Sequence, residues 1–329
     1  MEPFPDSNAY FRYFDLRMAE AITLSGQLAI LTAEKSINEF LQKTLGDDID
    51  RVIAIDTDSV YVNMSDVVKM RTADEARFMS EVDFLDIFAD KVMDPVIFRG
   101  YKKLFAKMNA FAPRMVMGRE VIANRGFWTA KKRYVLNVHD SEGVRYAEPK
   151  LKIMGIEAIK SSTPEKVRDW LKRCFEIIID NDEIRFQQYV KDCREQYSSW
   201  PPEDLAAPRG VSNVKKYMDK KTGMCIKGTP QNSRAAIVYN KAIRDAKLTD
   251  TYEEISDGDK MKYFYLKMPN PMFQNVIGFP DVFPRELQIE DCIDRDLQFS
   301  KTFTDVLVPV LNAIGWSLAE QSTLEDFFA

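Results

Sequence analysis

The run Val52-Ile-Ala-Ile-Asp-Thr-Asp-Ser-Val-Tyr-Val62 constrains the fold of this chain more than any other stretch. Two β-branched runs flank the polar break Asp56-Thr57-Asp58-Ser59, which is the pattern of a β-hairpin. Side chains alternate faces along extended chain, so the spacing predicts that Asp56 and Asp58 project together while Thr57 points away. Two hard oxygen ligands on one rigid turn suit Mg²⁺, which keeps most of its waters and takes one or two protein carboxylates plus substrate phosphates. A pair of such ions about 4 Å apart drives phosphoryl transfer. Asp, Thr and Ser are also ordinary turn residues, and a solvated, inert turn is the alternative.

The charge pattern points the same way. The chain has a net charge of −5, yet between Arg125 and Lys160 there are eight Lys/Arg against four Asp/Glu. Basic residues concentrated in an acidic chain suggest a surface that faces a polyanion. The stretch includes Gly126-Phe-Trp-Thr-Ala-Lys-Lys-Arg-Tyr134, Arg145-Tyr-Ala-Glu-Pro-Lys-Leu-Lys152 and Lys160-Ser-Ser-Thr-Pro164, and its interleaved aromatics suit sugar and base contact.

Asp-Thr-Asp-Ser followed by Lys-Lys-Arg-Tyr resembles the palm of family B DNA polymerases, in particular the replicative polymerases of T-even-type bacteriophages. The resemblance runs from about Asn8-Ala-Tyr-Phe-Arg-Tyr-Phe-Asp-Leu-Arg17 to the last residues. It takes in Phe84-Leu-Asp-Ile-Phe88, Gly126-Phe-Trp-Thr129, Tyr146-Ala-Glu-Pro-Lys-Leu-Lys-Ile-Met-Gly155, Lys160-Ser-Ser-Thr-Pro164 and Val238-Tyr-Asn240. Several motifs in the family's order make it specific. The family's exonuclease, first palm segment with a further metal-binding Asp, and fingers helix have no counterpart here. The resemblance therefore implies the carboxy-terminal half of a split polymerase, with an engineered or partial chain as the alternative.

Composition fits a folded half-enzyme. At 329 residues with 45% hydrophobic content there is material for one large or two medium cores. No apolar stretch approaches the roughly 20 residues of a membrane span, and Met1 is not followed by a signal-like segment, so the expected location is the cytoplasm, that of the host for a phage product. Cys174, Cys193, Cys225 and Cys292 lack metal spacing and are expected to be reduced thiols. The single His139 argues against zinc chemistry and a Ser-His-Asp triad.

Periodicity predicts an α+β fold in two bodies. Met18, Ile22, Leu28, Leu31, Ile37 and Leu41 have helical spacing over Leu16 to about Leu45, stopped by Gly46. After the hairpin, a long helix is expected over Asp74 to about Met108, with a break near Pro95, followed by strands over Arg114 to Ile122 and Arg133 to Val138. Ser162 or Thr163 should cap a helix with Pro164 in its first position, and a second helix should cover about Glu183 to Tyr197. An irregular region is expected from Trp200 to about Ser233, with helices again near Asn232 to Arg244 and Ser300 to Glu320. In the family's terms these are an antiparallel palm sheet with packed helices over residues 1–160, a mostly helical thumb over 161–318, and a tail over 319–329.

The resemblance implies roles for individual residues. Asp58 would coordinate both Mg²⁺ ions and Asp56 would lie beside them, while Ile55 departs from the Gly usual before the first Asp. Glu120, in Met117-Gly-Arg-Glu120, matches a palm carboxylate near the metals; a surface Glu paired with Arg119 is the alternative. Lys131, Lys132, Arg133 and Tyr134 would grip the primer strand, with Lys132 and Tyr134 on one face if the strand is continuous. A solvated edge strand guarded by lysines is the alternative. Lys150, Lys152 and Lys160 would extend that track, in contacts that position duplex without reading its sequence. A second basic run, with six Lys/Arg and one acid between Arg209 and Lys227, would place Arg209, Lys215 and Lys216 at the minor groove, unless the loop is simply solvated.

The last residues, Gln321-Ser-Thr-Leu-Glu-Asp-Phe-Phe-Ala329, resemble a sliding-clamp-binding peptide. One helical turn would gather Leu324, Phe327 and Phe328 into a plug, with Gln321 reaching a neighbouring pocket. The expected function is primer-template-directed addition of deoxynucleotides from their triphosphates, once the chain is joined to the amino-terminal half that carries exonuclease and fingers. A noncatalytic, clamp-tethered duplex-binding module and a metal-dependent nuclease are the alternatives.

Overall fold

Helix α1, Leu16–Leu45, begins where the Asp15 carboxylate accepts the Arg17 amide at 2.9 Å and ends at Gly46, whose left-handed φ of 75° lets its amide reach Gln42 O. The computed structural model describes residues 15–112, 114–156 and 160–318. They fall into two compact units. One takes the described residues up to Asn124 together with Val138–Lys150, and the other takes Arg125–Asn137 with the described residues from Leu151 onward.

In the first unit α1 is followed by β1 (Val52–Asp56) and β2 (Ser59–Val62), an antiparallel pair in which Asp56 faces Ser59 and Ile55 faces Val60. Short helices α2 (Ser65–Lys69), α3 (Ala73–Phe78) and α4 (Glu81–Phe88) precede a π-helical turn at Ala89–Met93, which runs directly into α5 (Asp94–Lys107). Ala29, Ala33, Ile37 and Leu41 of α1 pack with Val67, Met93, Ile97 and Tyr101 in one core. Each fully buried aliphatic side chain contributes about 1.5–3 kcal/mol. The turns of α1 that precede Ala29 contribute no buried residue, and Leu16, Met18, Ile22 and Leu24 lie exposed.

The single helix expected over Asp74 to Met108 is interrupted twice. Met79 leaves the helical region and Ser80 caps α4 by accepting the Asp83 amide, because a hydroxyl that satisfies an orphan donor starts a new helix. The second irregularity is the π turn. Pro95 is the second residue of α5, directly after the π turn, where its missing N–H removes one donor from a continuous helical ladder.

Strands β3 (Val121–Ala130), β4 (Arg133–Ser141) and β5 (Val144–Met154) form one sheet in sequence order, joined by the two-residue turns Lys131–Lys132 and Glu142–Gly143. The expected strand over Arg114 to Ile122 begins only at Val121, and the aromatic run Gly126 to Thr129 lies inside β3. Glu142 and Gly143 both have positive φ, the turn geometry that matches strand twist.

In the second unit α6 (Glu165–Asp180) starts after Pro164, which takes the cap position itself without a side-chain cap from Ser162 or Thr163; Thr163 is buried. Next come α7 (Glu183–Ser198), α8 (Pro202–Leu205), β6 (Ala207–Gly210), α9 (Val214–Tyr217), α10 (Gln231–Asp245), β7 (Lys260–Tyr265), β8 (Val276–Phe279), α11 (Arg295–Phe299), a second π turn at Ser300–Thr304, and α12 (Asp305–Ile314). The expected irregular region therefore contains an edge strand: β6 pairs with β7, and β7 with β8, in an antiparallel sheet. Strand β8 and the apolar face of α10, with Ala235, Ile237, Val238 and Tyr239, share the larger core with Phe175, Phe186, Phe264 and Phe303. The four cysteines are free thiols, and burial pushes the Cys193 thiol up to about 12.

Candidate active site

The hairpin tip is tight. Thr57 has φ 55°, the Asp58 amide donates to Asp56 O at 2.6 Å, and the Ser59 hydroxyl donates to the same carbonyl at 3.1 Å. Because Thr57 sits in the left-handed region rather than in extended chain, simple alternation fails there: its hydroxyl turns back and donates to Asp56 Oδ1 at 3.1 Å. Asp56 is half-buried at the end of β1 and Asp58 stands exposed in the turn.

The base of the hairpin is anchored by Arg51, whose side chain is only 4% exposed. Its guanidinium donates to both oxygens of Asp47, at 2.8 and 2.6 Å, and to Asp66 Oδ2 at 3.0 Å. Arg51 holds the Asp47 carboxyl below the usual carboxylate range, and Lys69 with Arg51 does the same for Asp66. The Arg51 amide donates to Asn38 Oδ1 of α1, and its carbonyl accepts the Asn63 amide at 2.8 Å. Sequence reasoning missed this positioning residue. Its one signal was an Arg bracketed by Asp47, Asp48 and Asp50 immediately before an apolar strand.

Two carboxylates on one tip fit the modest protein demand of Mg²⁺. Among the described residues no three His, Cys, Asp or Glu side chains converge as a metal-binding group, so Glu120 does not complete a three-carboxylate set with Asp56 and Asp58. Glu120 is exposed just before β3, and its carbonyl accepts the Glu142 amide at 2.6 Å.

Arg119 ion-pairs with Asp86 and Asp140. Arg145, counted above with the basic stretch, donates to Asp140 Oδ2 at 3.1 Å and to Asp83 Oδ1 at 2.8 Å. Two arginines and three aspartates thus form a network around an Asp140 that is 1% exposed. Arg145 is spent on structure, so the free cationic surface is smaller than the residue count suggests.

Lys131 and Lys132 are exposed at the β3–β4 turn, with φ 63° at Lys132. The turn separates them from Arg133 and Tyr134, which begin β4, so the expected pairing of Lys132 with Tyr134 on one strand face does not arise. Tyr134 is 6% exposed, with its ring 6.1 Å from that of Trp128, and Arg133 is half-buried. Behind the turn lies Gly155 at φ 67°, where a β-carbon would sit 2.1 Å from Lys132 O.

The other basic residues divide by exposure. Lys150 is exposed with its ammonium 4.3 Å from the Tyr146 ring, Lys160 is exposed, and Lys152 is half-buried. Arg209 is committed within the second unit: Nη1 donates to Ser162 O at 2.5 Å and Pro208 O at 2.9 Å. Lys215 and Lys216 of α9 are exposed. Gln321, Leu324, Phe327 and Phe328 lie outside the described residues.

Comparison with known proteins identifies relatives in sequence. The chain is 34% identical over 335 residues to the DNA-directed DNA polymerase of Enterobacteria phage T4, covering 98% of this chain and 37% of that protein. It is similar along almost its whole length to part of a phage polymerase. The DNA-directed DNA polymerase of Escherichia phage RB69 is likewise 34% identical over 340 residues, covering 98% of this chain and 36% of its own length. The chain thus spans little more than a third of either relative. No protein-family model matches it. Among the described residues, no helix is long and apolar enough to cross a membrane.

Proposed function

We propose that this chain is the carboxy-terminal, palm and thumb portion of a family B replicative DNA polymerase, adding deoxynucleotides to a primer 3′ end together with the amino-terminal portion that supplies exonuclease, fingers and a further metal carboxylate. The observation that carries the reading is the 34% identity to two phage DNA polymerases along 98% of the chain, with the Asp56–Asp58 hairpin lying inside it.

Asp58, exposed and acceptor-only, and Asp56, steadied by Thr57, would hold Mg²⁺. When bound, the ions supply Lewis acidity that lowers the pKa of a primer hydroxyl and offsets charge on the phosphates. The chain's own contribution is positional. The Arg51 anchor fixes the hairpin to α1 and α2, so the carboxylates enter the reaction already oriented and little ordering entropy is lost at the chemical step. Lys131 and Lys132 would neutralise backbone phosphates near the primer end, followed along the duplex by Lys150, Lys152, Lys160, Lys215 and Lys216. Arg133, Tyr134 and Arg209 would act from behind that surface, because their side chains are partly or wholly buried. Gln321, Leu324, Phe327 and Phe328 would bind a sliding clamp, and the reaction would take place in the host cytoplasm.

Purified chain mixed with the amino-terminal portion, a labelled primer-template, deoxynucleoside triphosphates and Mg²⁺ tests the reading. Template-directed extension that needs both polypeptides is the expected result. Strand cleavage by this chain alone, without extension by the pair, would overturn it in favour of a nuclease.

A further inference from the structure

Charge is scarce at the start of α1. Between Leu16 and Leu31 only Arg17 and Glu20 are charged, whereas Glu34, Lys35, Glu39 and Lys43 follow on the same helix. Apolar side chains occupy the positions between. Met18 and Ile22, eleven and seven residues before Ala29, fall on the face that α1 turns to its core further along, and both are exposed. Leu24, Leu28 and Leu31 recur at i, i+4 and i+7 on the other side of the helix, and they too are exposed. From Leu16 to Leu28 every residue but Gly26 is exposed.

A surface helix keeps one apolar stripe and a charged face, and a helix that is apolar on both sides belongs in an interior. A single exposed leucine needs no explanation. Large apolar side chains gathered on one length of helix with little charge do, because contiguous patches mark interaction sites and the centres of such sites are depleted in charge. The composition also selects the occupant. Nucleic acid would require cations, and a membrane surface would require Lys or Arg flanking the apolar face, yet Arg17 is the single basic residue between Leu16 and Leu31. An apolar protein body fits instead. The phage polymerases show where one would come from: each matches 98% of this chain, but the chain covers little more than a third of either, so the counterpart of α1 folds there within a much longer polypeptide.

We propose that the exposed faces of α1 between Leu16 and Leu31 are the docking surface for the amino-terminal polymerase portion, whose own apolar side chains close over Met18 and Ile22 on one side and Leu24, Leu28 and Leu31 on the other. The same helix continues to Asn38, whose Oδ1 accepts the Arg51 amide at 3.0 Å and whose Nδ2 donates to Asp50 Oδ1 at 2.7 Å. A helix rises 1.5 Å per residue, so a body seated at Ile22 lies about 24 Å along the axis from that anchor. The second polypeptide is thereby registered against the base of the carboxylate hairpin, with α1 as the common rod. This rests on the polymerase reading and adds to it the place where the second polypeptide is held.

The test is titration of the fluorescein-labelled amino-terminal portion with the full chain, followed by anisotropy. Ile22→Glu with Leu24→Glu, one change on each side of the helix, should weaken association by at least about thirtyfold, since each replaces apolar burial with a desolvated carboxylate. Ile184→Glu, on a comparably exposed isoleucine of α7, should leave it within about twofold. The melting temperature of the chain alone should hold in both variants, because neither touches a buried side chain, which separates docking from folding. A photo-crosslinker at position 22 of an otherwise unaltered chain should label the amino-terminal portion. Undiminished association in the double variant, or crosslinks only within this chain or to a second copy of it, overturns the docking surface and leaves the polymerase reading standing. An unaltered pair that neither associates nor extends a primer overturns both.

Discussion

Gly155 approaches Lys132 so closely that a β-carbon on it would lie 2.1 Å from the lysine's carbonyl oxygen. The turn that presents Lys131 and Lys132 is therefore buttressed from below by a residue 23 positions away, and only glycine fits both that gap and the φ of 67°. Gly155→Ala should destabilise the chain by about 2–4 kcal/mol and weaken duplex binding. Gly143→Ala is the control. Its φ of 83° carries similar strain, but no atom lies within 4 Å, so it should cost only about 1 kcal/mol. Urea titration of the two variants checks the difference, and equal costs would remove the buttress.

Asp58→Asn should abolish nucleotide addition by the complete enzyme while leaving primer-template affinity within about twofold, because an amide cannot replace an anionic ligand. Asp56→Asn should be milder, since part of that carboxylate's capacity is already used by Thr57. Single-turnover extension measures both. The reverse order of damage would exchange their roles.

Replacing Lys131 and Lys132 with Ala should weaken binding to all duplex sequences alike and reduce the slope of log K against log salt by about 2. Both side chains stand on a turn and support no core, so the melting temperature should hold. An unchanged slope would place the pair away from DNA.

Acid should loosen the first unit through Asp140. Burial pushes that carboxyl up, but the Arg119 hydrogen bond, the Gly143 amide and the charges of Arg119 and Arg145 outweigh it and hold it below the usual range. A depressed folded-state pKa means stability that is present above the unfolded value of about 3.9 and is lost as pH falls through the folded one. Asp140→Asn should cost about 3 kcal/mol at neutral pH, by leaving Arg119 and Arg145 short of a partner around a buried position, and should flatten the loss of stability in acid. Denaturant midpoints measured from neutral pH downward give both quantities.

Deleting Gln321 to Ala329 should leave short extension products intact and remove stimulation of long ones by a sliding clamp, because a tether acts through effective concentration. Phe327→Ala with Phe328→Ala should nearly reproduce the deletion, each buried aromatic being worth about 1.5–3 kcal/mol. Product length with and without the clamp decides it.

Elements with local signals were legible in the sequence. Helices α1, α7 and α10 showed their periodicity, and the β1–β2 hairpin showed two apolar runs about a polar break. Strands β6, β7 and β8 were not legible, because β6 contains Pro208 and Arg209, β8 is four residues long, and their pairing joins residues such as Ala207 and Tyr263 that are remote in sequence. The same holds for the site. Asp56 and Asp58 could be read from adjacency, whereas Arg119 meets Asp86 and Asp140 only through the fold, and the burial of Tyr134 beside Trp128 had no signal in the basic run that contains it.

The π turn at Ala89–Met93 has a consequence for how the helix tolerates changes in length. A π turn holds one residue more than the α-helical ladder needs, so deleting a single residue there would heal the hydrogen bonding rather than break it. The same deletion would swing everything upstream by about 100° relative to α5, turning Phe84, Asp86 and Phe88 off their present bearings while Ile97 and Tyr101 kept theirs. At this point the backbone would accept a shorter gene and the side chains would not, so the extra residue acts as a gauge that sets the rotation between two halves of one continuous rod.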